Sequence, residues 1–210
     1  MIHVIGLTGQ SGAGKTTAGA VFKSCGFAVI DADECSREAV LPRTDCLKEI
    51  SEYFGRKIIN PDGTLNRPAL ASIVFSEKSE LKKLNAIIHP YITSIICKKI
   101  NEYKTLGKDF IILDAPTLFE SNTDDLCDLI ISVTAKEELR KKRIFERDSL
   151  SEEDISMRFR SQYSESFFRK HSDFIIINNK SEDEFIEKTK EVAEKIKAYY
   201  SPGKTLLNLN

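Results

Sequence analysis

Between His3 and Thr17 the chain reads HVIGLTGQSGAGKTT, a short apolar run that stops at glycines and gives way to a lysine and two threonines. Gly9-Gln10-Ser11-Gly12-Ala13-Gly14-Lys15-Thr16 fits the pattern G-x-x-x-x-G-K-[ST], and its flanks predict the preceding strand and following helix that the pattern requires. In such a loop successive backbone N–H groups curl around phosphates, and glycines allow a backbone and a close approach that side chains would block. Lys15 is placed to reach the β- and γ-phosphates and the Thr16 hydroxyl to bind Mg²⁺, while the helix start adds orphan N–H groups and its positive dipole end. Gly12, Ala13, Gly14, Lys15, Thr16 and Thr17 are therefore the expected nucleotide contacts. A glycine-rich turn carrying a chance lysine would not need all four fixed positions and both flanks.

The rest of the chain repeats that strand-then-helix logic. A first helix from Thr16 to Ser24 stops near Gly26, and Phe27–Ile30 predicts a strand that ends in Asp31-Ala32-Asp33. Right-handed crossovers return each parallel strand to the same sheet edge, which brings both carboxylates to the phosphate-loop side. Phe110–Leu113 predicts a buried strand ending in Asp114, in the position of a Walker-B acid. Leu129–Val133 predicts another, with Thr134-Ala-Lys-Glu137 as a capping box for the helix that follows. Ser151-Glu-Glu-Asp154 caps a further helix, Phe174–Ile177 is the last buried strand, and Ser181-Glu-Asp-Glu184 caps a final amphipathic helix stopped by Ser201-Pro202-Gly203. Residues 204–210 read as a frayed tail. The expected fold is α/β: a five-stranded parallel sheet of the P-loop NTPase kind, resembling nucleoside-monophosphate kinases.

Residues 34–108 interrupt this alternation with helical periodicity and the turn Asn60-Pro61-Asp62-Gly63, so an inserted helical substrate subdomain is expected. Within it Leu81, Leu84, Ile88, Ile92 and Ile95 keep a helical period, which His89-Pro90 is expected to break or restart. The organisation expected is a nucleotide-binding core (1–33, 109–134 and 171–203), the helical subdomain (34–108) and a lid (135–170).

A phosphate loop does not separate a small-molecule kinase from a switch that gives the phosphoryl to water. A guanine-reading N-K-x-D is absent, since Asn178-Asn179-Lys180-Ser181 lacks the aspartate. Asp31 or Asp33 could accept a proton from an acceptor hydroxyl, cap a helix or sit in the Mg²⁺ shell. Asp114 is read as an indirect Mg²⁺ ligand in preference to a strand-end cap. Arg140, Lys141, Lys142 and Arg143 would in most proteins form a solvated helix face, although Arg143 and Arg147 lie one turn apart. Arg67 either binds an anionic substrate or caps a helix, and His89 is a residue of the substrate subdomain.

Taken in order, Leu7-Thr8-Gly9 through Thr17, Val29–Asp33, Asp62-Gly63 with Leu65, Arg67 and Leu70, His89-Pro90, Asp114 with Pro116 and Leu118-Phe119-Glu120, Arg143 with Arg147-Asp148, and Arg158 with Gln162 resemble dephospho-coenzyme A kinases over nearly the whole length. The resemblance implies phosphorylation of the ribose 3′-hydroxyl of dephospho-CoA by ATP with Mg²⁺. It implies Asp33 as base, Lys15 as γ-phosphate ligand, Arg143 as lid cation, Arg147 and Asn178 toward the adenine of ATP, and Asp31, Arg67, His89 and Asp114 on the substrate side, with Thr16 and Asp114 on the metal. Two positions depart from the family pattern: Thr117 replaces a leucine, and Lys180 replaces the glycine of an Asn-x-Gly. Another small-molecule P-loop kinase, acting on a nucleoside or nucleoside monophosphate, is the alternative, and a nucleotide-dependent binding switch the reading from another class.

Bulk properties narrow the partners. With 210 residues, 31 basic against 32 acidic side chains and a net charge of -1, the chain offers no sign of a nucleic-acid-binding surface. No apolar run reaches the length of a membrane span, and the N-terminus lacks the marks of a signal peptide. Five scattered cysteines without a C-x-x-C argue against a disulfide framework or zinc site. A cytoplasmic monomer is expected.

Overall fold

The structure is a computed structural model that describes residues 2–201. The described residues fall into two compact units, one reaching up to Val29 and resuming at Lys108, the other spanning Ile30–Gly107. The expected stop at Pro202-Gly203 and the tail 204–210 lie outside the described residues.

Strands β1 (His3–Gly9), β2 (Ala28–Asp31), β3 (Phe110–Asp114), β4 (Leu129–Thr134) and β5 (Phe174–Ile177) form one sheet in the order β2-β3-β1-β4-β5. The central β1 runs parallel to β3, with Leu7 opposite Asp114, and to β4, with Gly9 opposite Val133. β4 is parallel to β5. Each parallel pairing needs a crossover, and the helices supply it. In the first half these are α1 (Lys15–Ser24), α2 (Ala32–Ala39), α3 (Asp45–Phe54), α4 (Arg67–Val74) and α5 (Lys78–Thr105). The second half adds α6 (Glu137–Asp148), α7 (Glu152–Arg160), α8 (Glu165–Lys170) and α9 (Glu182–Tyr200).

Strand side chains alternate between faces, and the sheet uses both. Ile5, Leu7, Ile112, Ile131, Val133 and Ile176 pack with Phe22 of α1 and Phe185, Ala193 and Ile196 of α9 in one buried cluster. Burying an Ile or Leu of this kind contributes about 1.5–3 kcal/mol. The other face is covered by α8, which packs on β4 and β5, and by the chain after β3, where Leu118 lies against Gly6. β5 differs from the buried strand expected: it is the edge of the sheet, so Phe174 and Ile176 are buried while Ile177 is exposed.

Helix starts follow the side-chain chemistry of their caps. Thr44, Asn66, Ser151, Ser164 and Ser181 each accept a hydrogen bond from the N–H three residues on. The Thr134–Glu137 capping box does not form. Thr134 is still the last residue of β4, buried and in register with Ile177, so its hydroxyl cannot reach the helix start. α6 begins after Lys136 with no side-chain cap, and the Lys136 N–H donates instead to Asn179 Oδ1 at 2.7 Å.

In the second unit, Ala39, Leu47, Ile50, Phe54, Leu70, Val74 and Ile87 form a separate core, and α5 packs against α2, α3 and α4. The turn at Asn60 closes as expected, with the Gly63 N–H donating to the Asn60 carbonyl at 2.9 Å. The break expected at His89-Pro90 does not occur: α5 runs unbroken from Lys78 to Thr105 with Pro90 inside it. Proline removes one helical hydrogen bond, but Ile87, Ile88, Tyr91, Ile92 and Ile95 on either side all pack into this core and hold both halves in line.

The boundary falls inside β2, before Ile30, so Asp31 and Asp33 are grouped with the helical unit and not with the core. Residues 135–170, expected as a lid, belong to the same compact unit as the sheet. No helix among the described residues is long and apolar enough to cross a membrane.

Candidate active site

β1 ends at Gly9, where the backbone has φ +149° and an added Cβ would collide with the Val133 carbonyl oxygen of β4. The Gln10 N–H then donates to that same carbonyl, and the Ala13 N–H donates back to Gln10 O at 3.0 Å, closing a tight turn. Gly14 takes the left-handed conformation at φ 109° that ends the loop, and α1 starts at Lys15 with no side-chain cap. A helix start without a capping side chain leaves its first N–H groups for an anion. Lys15 Nζ pairs at 2.5 Å with Oδ1 of Asp114, the last residue of β3. Thr16 is exposed beside it in sequence, in the first turn.

The outer side of the loop is held carbonyl by carbonyl. Arg140 Nη1 donates to Ser11 O at 3.5 Å, Arg143 Nη1 to Gly12 O at 3.4 Å, and Asn178 Nδ2 to Ala13 O at 2.8 Å. In a planar trans peptide the C=O and the next N–H point opposite ways. Holding the Ser11 and Ala13 oxygens outward therefore turns the N–H groups of Gly12 and Gly14 to the inner side, while the Ala13 N–H is used within the turn on Gln10 O. Arg143 Nη2 also donates to Asn178 O at 3.1 Å and Oδ1 at 3.2 Å, so the arginine and the asparagine brace one another.

The basic run is thus not one solvated face. Lys141 pairs with Glu137 and Lys142 lies near Glu146, all exposed, while the arginines at 140, 143 and 147 follow a 3–4 spacing along another stripe. Arg140 is only 6% exposed, donates from Nε to Ala135 O at 3.1 Å and lies 4.2 Å over the Phe159 ring. It pairs with no carboxylate among the described residues, and burial lowers its pKa. Arg147 is exposed and bonded to Asp148 at 2.7 Å; this bond, with Arg158 joining at 3.0 Å, holds the Asp148 carboxyl at about 2.

Gln162, at the end of the α7 segment, grips Ser11 with both amide atoms: Oε1 accepts from the Ser11 N–H at 3.2 Å, and Nε2 donates to Oγ at 2.7 Å. From the sequence alone neither Arg140 nor Gln162 carries an assigned role. The 3–4 spacing of the three arginines was the available signal for the first; for the second only its place in the ordered motifs was.

The structure brings together Gly12, Ala13, Gly14, Lys15, Asp114, Arg143 and Asn178. It directs the Asn178 amide to the loop and Arg143, and Arg147 to Asp148, where an adenine contact was expected of both. The remaining candidates sit in the helical unit. Asp31 is the N-cap of α2, its Oδ1 accepting from the Glu34 N–H at 3.0 Å. Asp33 is exposed in the first turn of α2. Arg67 opens α4 but does not cap it; Asn66 does. His89 lies half-buried in α5, and loss of solvent lowers its pKa.

No group of three or more His, Cys, Asp or Glu among the described residues could hold a metal ion. One hydroxyl and one carboxylate, Thr16 and Asp114, are nevertheless the hard oxygen donors that suit Mg²⁺, which takes few protein ligands and completes its shell with phosphate and water.

A sequence profile of the dephospho-CoA kinase family matches residues 3–184. The chain is 39% identical to the dephospho-CoA kinase of Listeria monocytogenes, over 90% of this chain and 92% of the relative. Among solved structures it is similar to a protein from Thermus thermophilus at 30% identity, with TM-score 0.80 over 95% and 98% of the two chains. It is also similar to the dephospho-CoA kinase from Campylobacter jejuni at 29% identity, with TM-score 0.70 over 96% and 100%.

Proposed function

Because the chain belongs to the dephospho-CoA kinase family and catalyses the ATP-dependent phosphorylation of dephospho-CoA, we propose a division of that reaction among its own residues. Gly12, Ala13, Gly14, Lys15, Thr16 and Thr17 bind the ATP phosphates, with Lys15 on the γ-phosphate. Thr16 and Asp114 would hold Mg²⁺, which would supply positive charge to offset that of the phosphates. Asp33 accepts the proton of the ribose 3′-hydroxyl as its oxygen bonds to the γ-phosphorus and the bond to the β-phosphate oxygen breaks, leaving ADP. Arg143 meets the charge spread over the moving phosphoryl. Asp31, Arg67 and His89, in the helical unit, serve dephospho-CoA, and Arg147 serves the nucleotide base. The catalytic unit is a single chain in the cytoplasm.

The observation that carries this reading is the Lys15–Asp114 pair at an uncapped helix start, behind a loop whose three outer carbonyls are held by side chains. The test is ADP release across an acceptor panel of dephospho-CoA, AMP, CMP and uridine, with mass spectrometry of the product. Dephospho-CoA should be far the best acceptor, with the new phosphate on its ribose. Equal turnover of AMP, CMP or uridine would sink the assignment.

A further inference from the structure

We propose that Asn178 is a positioning residue that fixes the phosphate loop and Arg143 with the two ends of one buried amide. Its backbone is anchored first: the Asn178 N–H donates to Thr134 O at 2.8 Å, just beyond the paired ends of β4 and β5. The side chain is enclosed, the residue being 8% exposed. Nδ2 donates to Ala13 O at 2.8 Å, and Oδ1 accepts from Arg143 Nη2 at 3.2 Å. The two partners have opposite chemistry, so the amide has only one satisfactory orientation. A flipped amide would set oxygen against the Ala13 carbonyl and NH₂ against a guanidinium.

No other small side chain does both jobs. Asp keeps an acceptor for Arg143 but sets a carboxylate against Ala13 O, and Ala removes both bonds. Gly14 completes the fit, because a Cβ there would lie 2.5 Å from Nδ2. Two consequences follow for catalysis. The held Ala13 carbonyl keeps the Gly14 N–H turned to the inner side, where it can meet a phosphate. The held guanidinium in turn donates to Gly12 O, so the same amide fixes a second carbonyl of the loop through Arg143.

The proposal rests on the assignment of the loop and Arg143 to ATP, and the experiment separates the two. Asn178→Asp, Asn178→Ala, Arg143→Ala and the double variant Asn178→Ala/Arg143→Ala are assayed for kcat and for KM of both substrates. Binding of a fluorescent ATP analogue and thermal melting are followed in parallel. Asn178→Asp should raise KM for ATP about tenfold, the size of one hydrogen bond to a charged ligand lost, with kcat changed less than about threefold. Asn178→Ala should raise that KM and also lower kcat about tenfold or more, leaving KM for dephospho-CoA unchanged. The double variant should have the kcat of Arg143→Ala alone, because the asparagine acts on kcat through the arginine. A residue that merely supports the fold would lower melting temperature without dividing KM from kcat between the Asp and Ala variants. Unchanged KM for ATP in Asn178→Asp, or kcat losses that multiply in the double variant, overturns the proposal. If wild-type protein bound the analogue but transferred nothing to dephospho-CoA, the function assignment would fail while the binding arm still judged Asn178.

Discussion

Gln162 holds Ser11 by both atoms of its side-chain amide, at 3.2 Å to the N–H and 2.7 Å to the hydroxyl, across 151 residues of sequence. Those bonds attach the α7 segment to the phosphate loop. Gln162→Glu keeps the shape and an acceptor for the Ser11 N–H but adds a negative charge where phosphates are to bind. At a few ångströms a charge of this sign costs about 1–4 kcal/mol near a surface, so KM for ATP should rise by tenfold or more. Gln162→Ala should raise it only about two- to fivefold, losing ordinary hydrogen bonds. Steady-state kinetics with varied ATP decides; an unchanged KM in Gln162→Glu would place Ser11 away from the phosphates.

The two carboxylates that follow β2 can be told apart. Asp31 caps α2 through the Glu34 N–H, and asparagine is as good a cap as aspartate, so Asp31→Asn should leave melting temperature close to wild type and be milder on turnover than Asp33→Asn. Asp33→Asn removes the proposed base and should lower kcat by about 10²–10⁴-fold with ATP affinity little changed. Parallel kinetics and calorimetry on the pair check this: normal turnover in Asp33→Asn would end its role as base, and lost ATP binding would move it to the metal shell.

Arg140 and Arg143 should fail in different ways despite sharing a helix stripe. Arg143→Ala should lower kcat about 10²-fold or more, as expected for a cation at a transferring phosphoryl. Arg140 is buried on Phe159 without a carboxylate partner among the described residues, so Arg140→Ala should first cost stability, about 1–3 kcal/mol. Arg140→Met, which fills the volume without a buried charge, should be less harmful than Ala. Urea unfolding and kcat for the three variants are the measurements; near wild-type kcat in Arg143→Ala would leave it as a brace on Gly12 O and Asn178 with no part in phosphoryl transfer.

Acid should weaken the helical unit through His89. Burial depresses its pKa, so between the folded value and about 6.5 the unfolded chain binds more protons than the folded one. Its contribution to stability is thus present above about pH 6.5 and lost as pH falls through the folded pKa. His89→Gln should flatten the decline in urea midpoint from pH 7 to pH 5, and an identical decline in the variant would show that His89 does not cause it.

What could be read in the sequence was whatever local chemistry dictates. The loop from Gly9 to Thr16, the five strands and the caps at Ser151 and Ser181 depend on a few neighbouring residues, and they form as expected. The misreadings came where distant packing outweighs a local rule. Pro90 should end a helix, but the core on both sides of it does not let the helix end. Thr134 has capping-box spacing, but pairing with β5 keeps it in the sheet. Arg140 looks solvated in a run of four basic residues, and only the tertiary fold brings Phe159 beneath it. The grip of Gln162 on Ser11 leaves no periodic trace at all.

The crowding at the loop glycines bears on the choice of an inactive variant. Gly9 faces the Val133 backbone and Gly14 faces the Asn178 amide, so a side chain at Gly9 would push on the sheet, and one at Gly14 on Asn178, before either touched a nucleotide. Such variants lose activity for reasons that say nothing about phosphate chemistry, and insoluble protein is their expected yield. Lys15 already carries a side chain that the loop accommodates, and it pairs with Asp114. A folded protein with impaired phosphoryl transfer is therefore better sought by altering Lys15 than by filling a glycine.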